Sequence, residues 1–455
     1  MPIEEFRTNR LLVIGAGPVG LGMADALARA GLAYDHVDAN PDIGGNWYNG
    51  VFKNTHIISS KASTAFADYP MPASYPDFPN RQQLQDYLKS YARDRGLLPR
   101  IETGKAVTAA RQRPDASWSV TFADGSRRVY KGLVVCNGHH WARKWPSYPG
   151  RYTGEMIHSK DFFDPDVMRD KRVLIIGGGN SAADLACEGA RFAISSDISL
   201  RSGYWYLPKT AFGKPLTDLP IWNLPLFLQK PILKALIRLA IGDYERYGLH
   251  RPKHDLFDRH PAFGTEMLTY IRQGRIRPRP DIRAFDERTV HFTDGSSAEY
   301  DLVIAATGFR NSFPFLPAGL VGVENGVVQI YGGAFPGNVK NLYLIGTMQV
   351  RNGFGALLTP AAALYARLIA MQDELQHPIG RILKTMGLRV VADNSLDPGH
   401  ARRMIWWGNR LLWLIRLQGK RLEGERTSIG TLVRDLKLAT LHHRHISNAM
   451  PPPGE

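Results

Sequence analysis

Two glycine-rich turns carry the strongest chemical pattern in the chain: Gly15-Ala16-Gly17-Pro18-Val19-Gly20 and Gly177-Gly178-Gly179-Asn180-Ser181-Ala182. Each directly follows an aliphatic run, Leu11-Leu12-Val13-Ile14 and Val173-Leu174-Ile175-Ile176. A glycine turn between a strand and a helix lets backbone amides meet a pyrophosphate at the helix N-terminus, where the helix dipole favours negative charge. One such turn is weak evidence, whereas two in one chain point to a pair of dinucleotides.

The residue beyond each turn separates the two ligands. After the first, the strand-like Tyr34-Asp35-His36-Val37-Asp38 ends in a carboxylate, which suits the free ribose hydroxyls of an unphosphorylated adenosine, so Asp38 points to FAD or NAD. After the second, Asp197-Ile198-Ser199-Leu200 ends at Arg201-Ser202, a cation and a hydroxyl where an acid would repel a 2′-phosphate. Arg201 therefore points to NADP, with Gly177, Gly179, Asn180 and Ser181 at its phosphate turn.

Composition bounds what else the chain does. At 455 residues it can form two or three domains and bury a large core without disulfides. Cys136 and Cys187 lie far apart and form no Cys-x-x-Cys pair, so neither a thiol-redox centre nor a zinc site is expected. The formal charge of +15 is spread along the chain without a nucleic-acid motif, so nucleic acid is not an expected partner. The N-terminus shows no basic region followed by an apolar one, and a reducing cytoplasm is the expected compartment, with peripheral membrane contact left open.

The elements that must position these turns are also legible. Asp42-Ile43-Gly44-Gly45-Asn46-Trp47 suits a loop crossing a flat cofactor, and Asn80 caps a helix reaching about Arg95. Alternation in Ser117–Phe122 and the turn Asp124-Gly125-Ser126 predict a hairpin, followed by the buried strand Gly132–Cys136. Residues 139–172 read as a crossover into the second nucleotide unit, with a boundary near Pro149. That unit carries its own hairpin at Phe292–Ser296 and the strand Leu302–Ala306. A strand at Asn341–Gly346 and a helix from about Ala356 to Met371 return to the first unit. The expected fold is α/β, with two Rossmann-like dinucleotide-binding domains, the second inserted in a discontinuous first. The expected limits are 1–150 and 301–375 for the FAD domain, 151–300 for the NADPH domain with an apolar insertion at about 205–270, and 376–455 for a C-terminal extension.

Two segments are amphipathic rather than membrane-spanning. Pro231–Ile241 is too short and too charged to cross a bilayer, and reads as a core or lid helix, or as an apolar entrance or interfacial face. Arg403–Arg416 sets aromatics between arginines, which suits an interfacial helix or homo-oligomer packing. His442, His443 and His445 in the polar tail are a weak pointer to metal binding, and no metal is assigned.

In order along most of the chain these features resemble the flavin-containing monooxygenases, the group that also includes plant auxin-synthesis relatives and Baeyer–Villiger enzymes. The family's linker pattern, aromatic-x-Gly-x-x-x-His-x-x-x-aromatic, stands as Tyr152, Gly154, His158 and Phe162 between the two glycine turns. Asn46-Trp47, Ser60-Lys61, Asn137-Gly138-His139-His140, Asn180-Ser181, Ser199–Gly203, Tyr247-Gly248-Leu249 and Ala306–Phe309 follow in family order. The resemblance implies FAD along Asn46 and Trp47, with Ser59, Gly346 and Gln349 near the flavin, and NADPH along Asn180, Ser181, Arg201 and Ser202. It implies a small-molecule substrate and O2, with oxygen transferred to nitrogen, sulfur or a carbonyl through a C4a-(hydro)peroxyflavin, and no side-chain acid, base or nucleophile is assigned.

One departure concerns chemistry. Many members carry an asparagine three residues before the lysine of the Ser-Lys pair, and here that position is Ile58, which offers no hydrogen bond. An NADPH oxidase or reductase of the same fold is the alternative this raises, and a nucleotide-sensing or membrane-docked scaffold is a third reading. No stretch of the final sixty or so residues is placed in this family order.

Overall fold

Residues 4–391 and 395–424 are described in a computed structural model of the protein. The aliphatic run before the first turn is the buried end of the strand Glu4–Ile14, and Leu11, Leu12 and Val13 are almost wholly excluded from water. Such continuous burial marks a central strand covered on both faces. It sits in a seven-stranded sheet in the order Ile101–Glu102, Tyr34–Val37, Glu4–Ile14, Arg127–Val135, Trp118–Phe122, Val107–Gln112. The strand Arg127–Val135 is shared: its first half pairs antiparallel with Trp118–Phe122, while Leu133–Val135 takes Leu342–Leu344 in parallel from the far end of the chain. The helix Pro18–Arg29 covers this sheet and packs on the returning helix Gly355–Met371, where Gly22 meets the Leu358 side chain.

The second aliphatic run, Arg172–Ile176, is the middle of a five-stranded, wholly parallel sheet in the order Ile276–Arg279, Ser195–Ser199, Arg172–Ile176, Leu302–Ala305, Glu155–His158. The helix Asn180–Phe192 follows its glycine turn. A third sheet joins Ser297–Glu299, Thr289–Phe292, Ile282–Glu287 and Gly150–Tyr152.

Three expectations change. Leu302–Ala305 lies inside the second sheet, so the limit expected at residue 301 falls later in the chain, because strand pairing rather than the preceding hairpin closes that unit. The late hairpin stands with the second unit as expected, in a separate sheet whose Ile282, Phe285, Val290 and Phe292 pack against Leu174, Ile176 and Val303. Residues 139–172 are more than a crossover, since the alternation Glu155–His158 supplies an edge strand ending at the linker histidine. Arg403–Arg416 is not one helix: Pro398–Arg410 and Leu412–Leu422 break at Leu411, and the second half packs inward, with Gly419 against Leu375 and Ile382. His442, His443 and His445 lie outside the described residues.

The outbound and returning chains between the first two sheets run side by side. Ala142–Arg143 pairs antiparallel with Phe309–Arg310, and Lys144 N donates to Gly308 O at 3.0 Å. Both glycine turns, Gly15 against Cys136 and Gly177 against Ala306, thereby lie beside one paired connection.

Candidate dinucleotide sites

At the first turn, sterics select glycine. A Cβ on Gly20 would lie 1.8 Å from the Gly15 carbonyl oxygen, and Gly15 itself holds φ +105°. Gly17 caps the helix and Pro18 opens it, so no capping side chain takes the first-turn amides of Val19 and Gly20. Asp38, only 5% exposed, receives Ala16 N at 2.5 Å, Asn40 N at 2.8 Å and Asn40 Nδ2 at 2.9 Å. Burial pushes its carboxyl above the usual range, against those three donors. His36, wholly buried behind the turn, donates Nε2–H to Gly15 O at 2.9 Å.

The loop expected to cross a flat cofactor lies against this turn. A Cβ on Gly45 would come within 3.1 Å of Gly17 Cα, so the two backbones pack against each other and a side chain on Gly45 would press on Gly17. Gly45 then caps the short helix holding Asn46, and half-buried Trp47 packs on the first core. A Cβ on Gly346 would come within 2.9 Å of the Val19 side chain, which brings the returning chain to the same place. His139 donates Nδ1–H to Gly346 O at 2.8 Å, while its Nε2 is buried without a hydrogen-bond partner among the described residues. Burial lowers the pKa of this ring. With Nδ1 engaged at Gly346 O, the neutral form of the ring presents Nε2 as an open acceptor beside the turn. In the sequence His139 stands within a family-like stretch, and that stretch is its only signal.

Ser59 and Thr64 share a hydrogen bond at 2.7 Å. The neighbouring Ser60 bonds Asp218 through Oγ and receives support from Thr217, whose Oγ1 takes Ser60 N at 3.0 Å. The apolar insertion thus walls this segment. Ile58, half-buried, packs on the second core rather than facing a polar partner. Gln349 is half-buried in the short strand Gln349–Val350.

The second turn repeats the design. Gly177 holds φ +138°, and a Cβ there would lie 2.3 Å from Ala306 O. Gly179 caps the helix, again with no side-chain acceptor, and Ser181 is exposed just beyond it. Asn180 is engaged elsewhere: Oδ1 accepts Phe263 N at 2.7 Å and Nδ2 reaches Pro261 O at 3.5 Å. Arg201 is exposed and forms no ion pair among the described residues, with half-buried Ser202 beside it. The carboxylate of the neighbouring strand, Asp197, is already neutralised by Arg279 at 2.7 Å and bonded by Tyr300.

Between the turns stands the linker histidine. His158 donates Nε2–H to Gly308 O at 3.1 Å, so Nδ1 is the acceptor for Lys160 N at 3.1 Å. Lys160 then reaches across to the first unit, where Nζ donates to Asn46 Oδ1 at 3.0 Å. Since an ammonium only donates, Asn46 presents its oxygen to Lys160 and keeps its two N–H donors for another partner. This pair, 114 residues apart in sequence, carried no signal that a single chain could reveal.

Among the described residues no group of histidine, cysteine and carboxylate side chains could hold a metal, and no helix is long and apolar enough to cross a membrane. A family model described as flavin-binding monooxygenase-like matches residues 8–372. Flavin-containing monooxygenase 5 of Oryctolagus cuniculus is 31% identical over 424 residues, covering 84% of this chain and 78% of that protein. Among solved structures, a flavin-containing monooxygenase from Stenotrophomonas maltophilia aligns with TM-score 0.63 at 23% identity, over 80% of this chain and 98% of its own. OTEMO in complex with FAD and NADP aligns with TM-score 0.66 at 17% identity, over 81% and 85%. These two likenesses concern the fold.

Proposed function

Because the chain belongs to the flavin-binding monooxygenase-like family, we propose that it is an NADPH-dependent flavin monooxygenase holding FAD at the first glycine turn and NADPH at the second. Its reaction transfers one atom of O2 to the nitrogen, sulfur or carbonyl of a small organic substrate. The observation that carries this reading is the pair of helix starts capped by glycine with no side-chain acceptor, the first with a buried carboxylate behind it and the second with a cation that forms no ion pair among the described residues.

The residues fit the two groups. Gly17 and Gly45 keep the backbone beside the first helix start free of side chains, which suits close approach of the FAD pyrophosphate, and Asp38 suits its ribose. The open His139 Nε2 is an acceptor that a donor of the flavin or its ribityl chain would satisfy. Asn46, Trp47, Ser59, Gly346 and Gln349 are proposed along the flavin, and Ser181, Arg201 and Ser202 along NADPH. Asn180 is proposed to serve indirectly, by fixing the 261–263 backbone beside the turn. When bound, the flavin supplies hydride acceptance and the activation of O2. The chain's own residues bind and orient the two cofactors, and the apolar flank at Ile58 keeps water away.

Peripheral membrane contact is proposed on the insertion helix and the first C-terminal helix. Helix Leu226–Ala240 exposes Phe227 and Leu239 at 73% and 86%, and helix Pro398–Arg410 exposes Trp406 and Trp407 at 47% and 51%. Arg402 bonds Asn223 at 3.1 Å and so joins the second helix to the turn leading into the first. Aromatic side chains among arginines suit an anionic lipid surface.

Anaerobic titration of the purified flavoprotein tests the assignment of both cofactors. NADPH bleaches the visible flavin band, and Arg201→Ala raises the NADPH needed for half-bleaching by about tenfold while NADH changes by less than about twofold. Equal losses for both nucleotides would remove Arg201 from the site, and absence of bleaching would remove the function.

A further inference from the structure

The matched family region ends at residue 372, yet residues beyond it build part of the place where Gly346 and Gln349 lie. Strand Gln349–Val350 pairs in parallel with Ser395–Leu396, setting Gln349 opposite Ser395. The next residue, Arg351, is 8% exposed. Its Nε donates to Ser395 Oγ at 3.0 Å, its Nη1 donates to Asp397 Oδ2 at 3.2 Å, and its guanidinium lies 4.9 Å over the Phe257 ring. Asp397 works in a second direction, since Oδ1 accepts His400 N at 2.7 Å and caps helix Pro398–Arg410. That helix is itself fixed to Gly355–Met371 by Arg367, which donates to Asn409 Oδ1 at 2.9 Å. Two residues past Arg351, Gly353 holds φ +105° with its missing Cβ 2.5 Å from Ser63 O, so the turn presses on the segment that carries Ser59.

A buried guanidinium keeps one place only while its charge and its donors are matched. We propose that Asp397 is a positioning residue for the flavin site: through Arg351 and the strand pairing, it holds residues 346–353 between Ser63 and Phe257, so that the C-terminal extension completes the site. The inference rests on the reading of Gly346 and Gln349 as neighbours of the flavin.

Asp397→Asn in the full-length holoprotein tests it, because asparagine caps a helix as well as aspartate but carries no charge. Amide hydrogen exchange across 346–353 accelerates roughly fivefold or more. Hydrogen peroxide released per NADPH rises about threefold, while the KM for NADPH stays within about twofold. Exchange changes confined to residues 395–410, with peroxide yield unchanged, would overturn the proposal and leave Asp397 a helix cap. Should that variant fail to fold, Arg351→Lys keeps the charge but cannot bridge Ser395 and Asp397 together, and the same two measurements on it support or overturn the proposal in the same way. Wild-type protein that takes up no flavin would sink the functional reading instead, and the exchange measurement, which needs no flavin, would still decide this one.

Discussion

His36 shows what one buried side chain costs and gives. Burial pushes its pKa down to about 4, and the neutral ring pins the Gly15 carbonyl behind the first turn. In the unfolded chain the same ring titrates at the ordinary histidine value of about 6.5. Between these values the unfolded state binds the extra proton, so this contribution is fully present above about 6.5 and is lost as pH falls toward 4. The loss approaches about 3 kcal/mol. Glutamine keeps a donor for Gly15 and does not titrate. Melting temperatures of His36→Gln should therefore fall less than wild type between pH 7.5 and 4.5, and parallel pH curves would show that His36 is not the group responsible. The placement of buried Asp38 behind the first turn and of exposed Arg201 beyond the second was legible from sequence because it follows from position after a glycine turn. His139 and Lys160 were not, because an open ring nitrogen or a bond to Asn46 depends on which distant backbone arrives beside it.

At the scale of elements, the two strand–turn–helix units were legible because local sterics dictate them: aliphatic runs make buried strands, and only glycine fits Gly20 or Gly177. The edge strand Glu155–His158 and the split of the C-terminal helices at Leu411 were not, since partners far away in sequence decide both. The exposed tryptophans give an element-scale prediction. Trp406→Ser with Trp407→Ser removes apolar surface without touching Asp397 or the inward-packed Leu412–Leu422, so folding and flavin content stay near wild type. Co-sedimentation with vesicles containing phosphatidylserine falls by about tenfold or more. Undiminished sedimentation would leave that face to packing between copies of the chain.

The whole molecule joins its two glycine-turn units through a pair of antiparallel crossing strands. Paired crossovers at Ala142–Arg143 and Phe309–Arg310 and the His158-positioned Lys160 reaching Asn46 tie the two glycine-turn units to one another. With the proposed cofactors bound, such ties would keep a hydride donor and its acceptor in register, where small misplacements are expensive in rate. The family membership makes the joined sites an oxygenase, and the fate of oxygen tests that account most directly. Purified enzyme supplied with NADPH, 18O2 and a panel of amines, sulfides and ketones should return one product carrying a single 18O atom, with NADPH consumed in step. Recovery of the oxygen as hydrogen peroxide with every candidate unlabelled would contradict it.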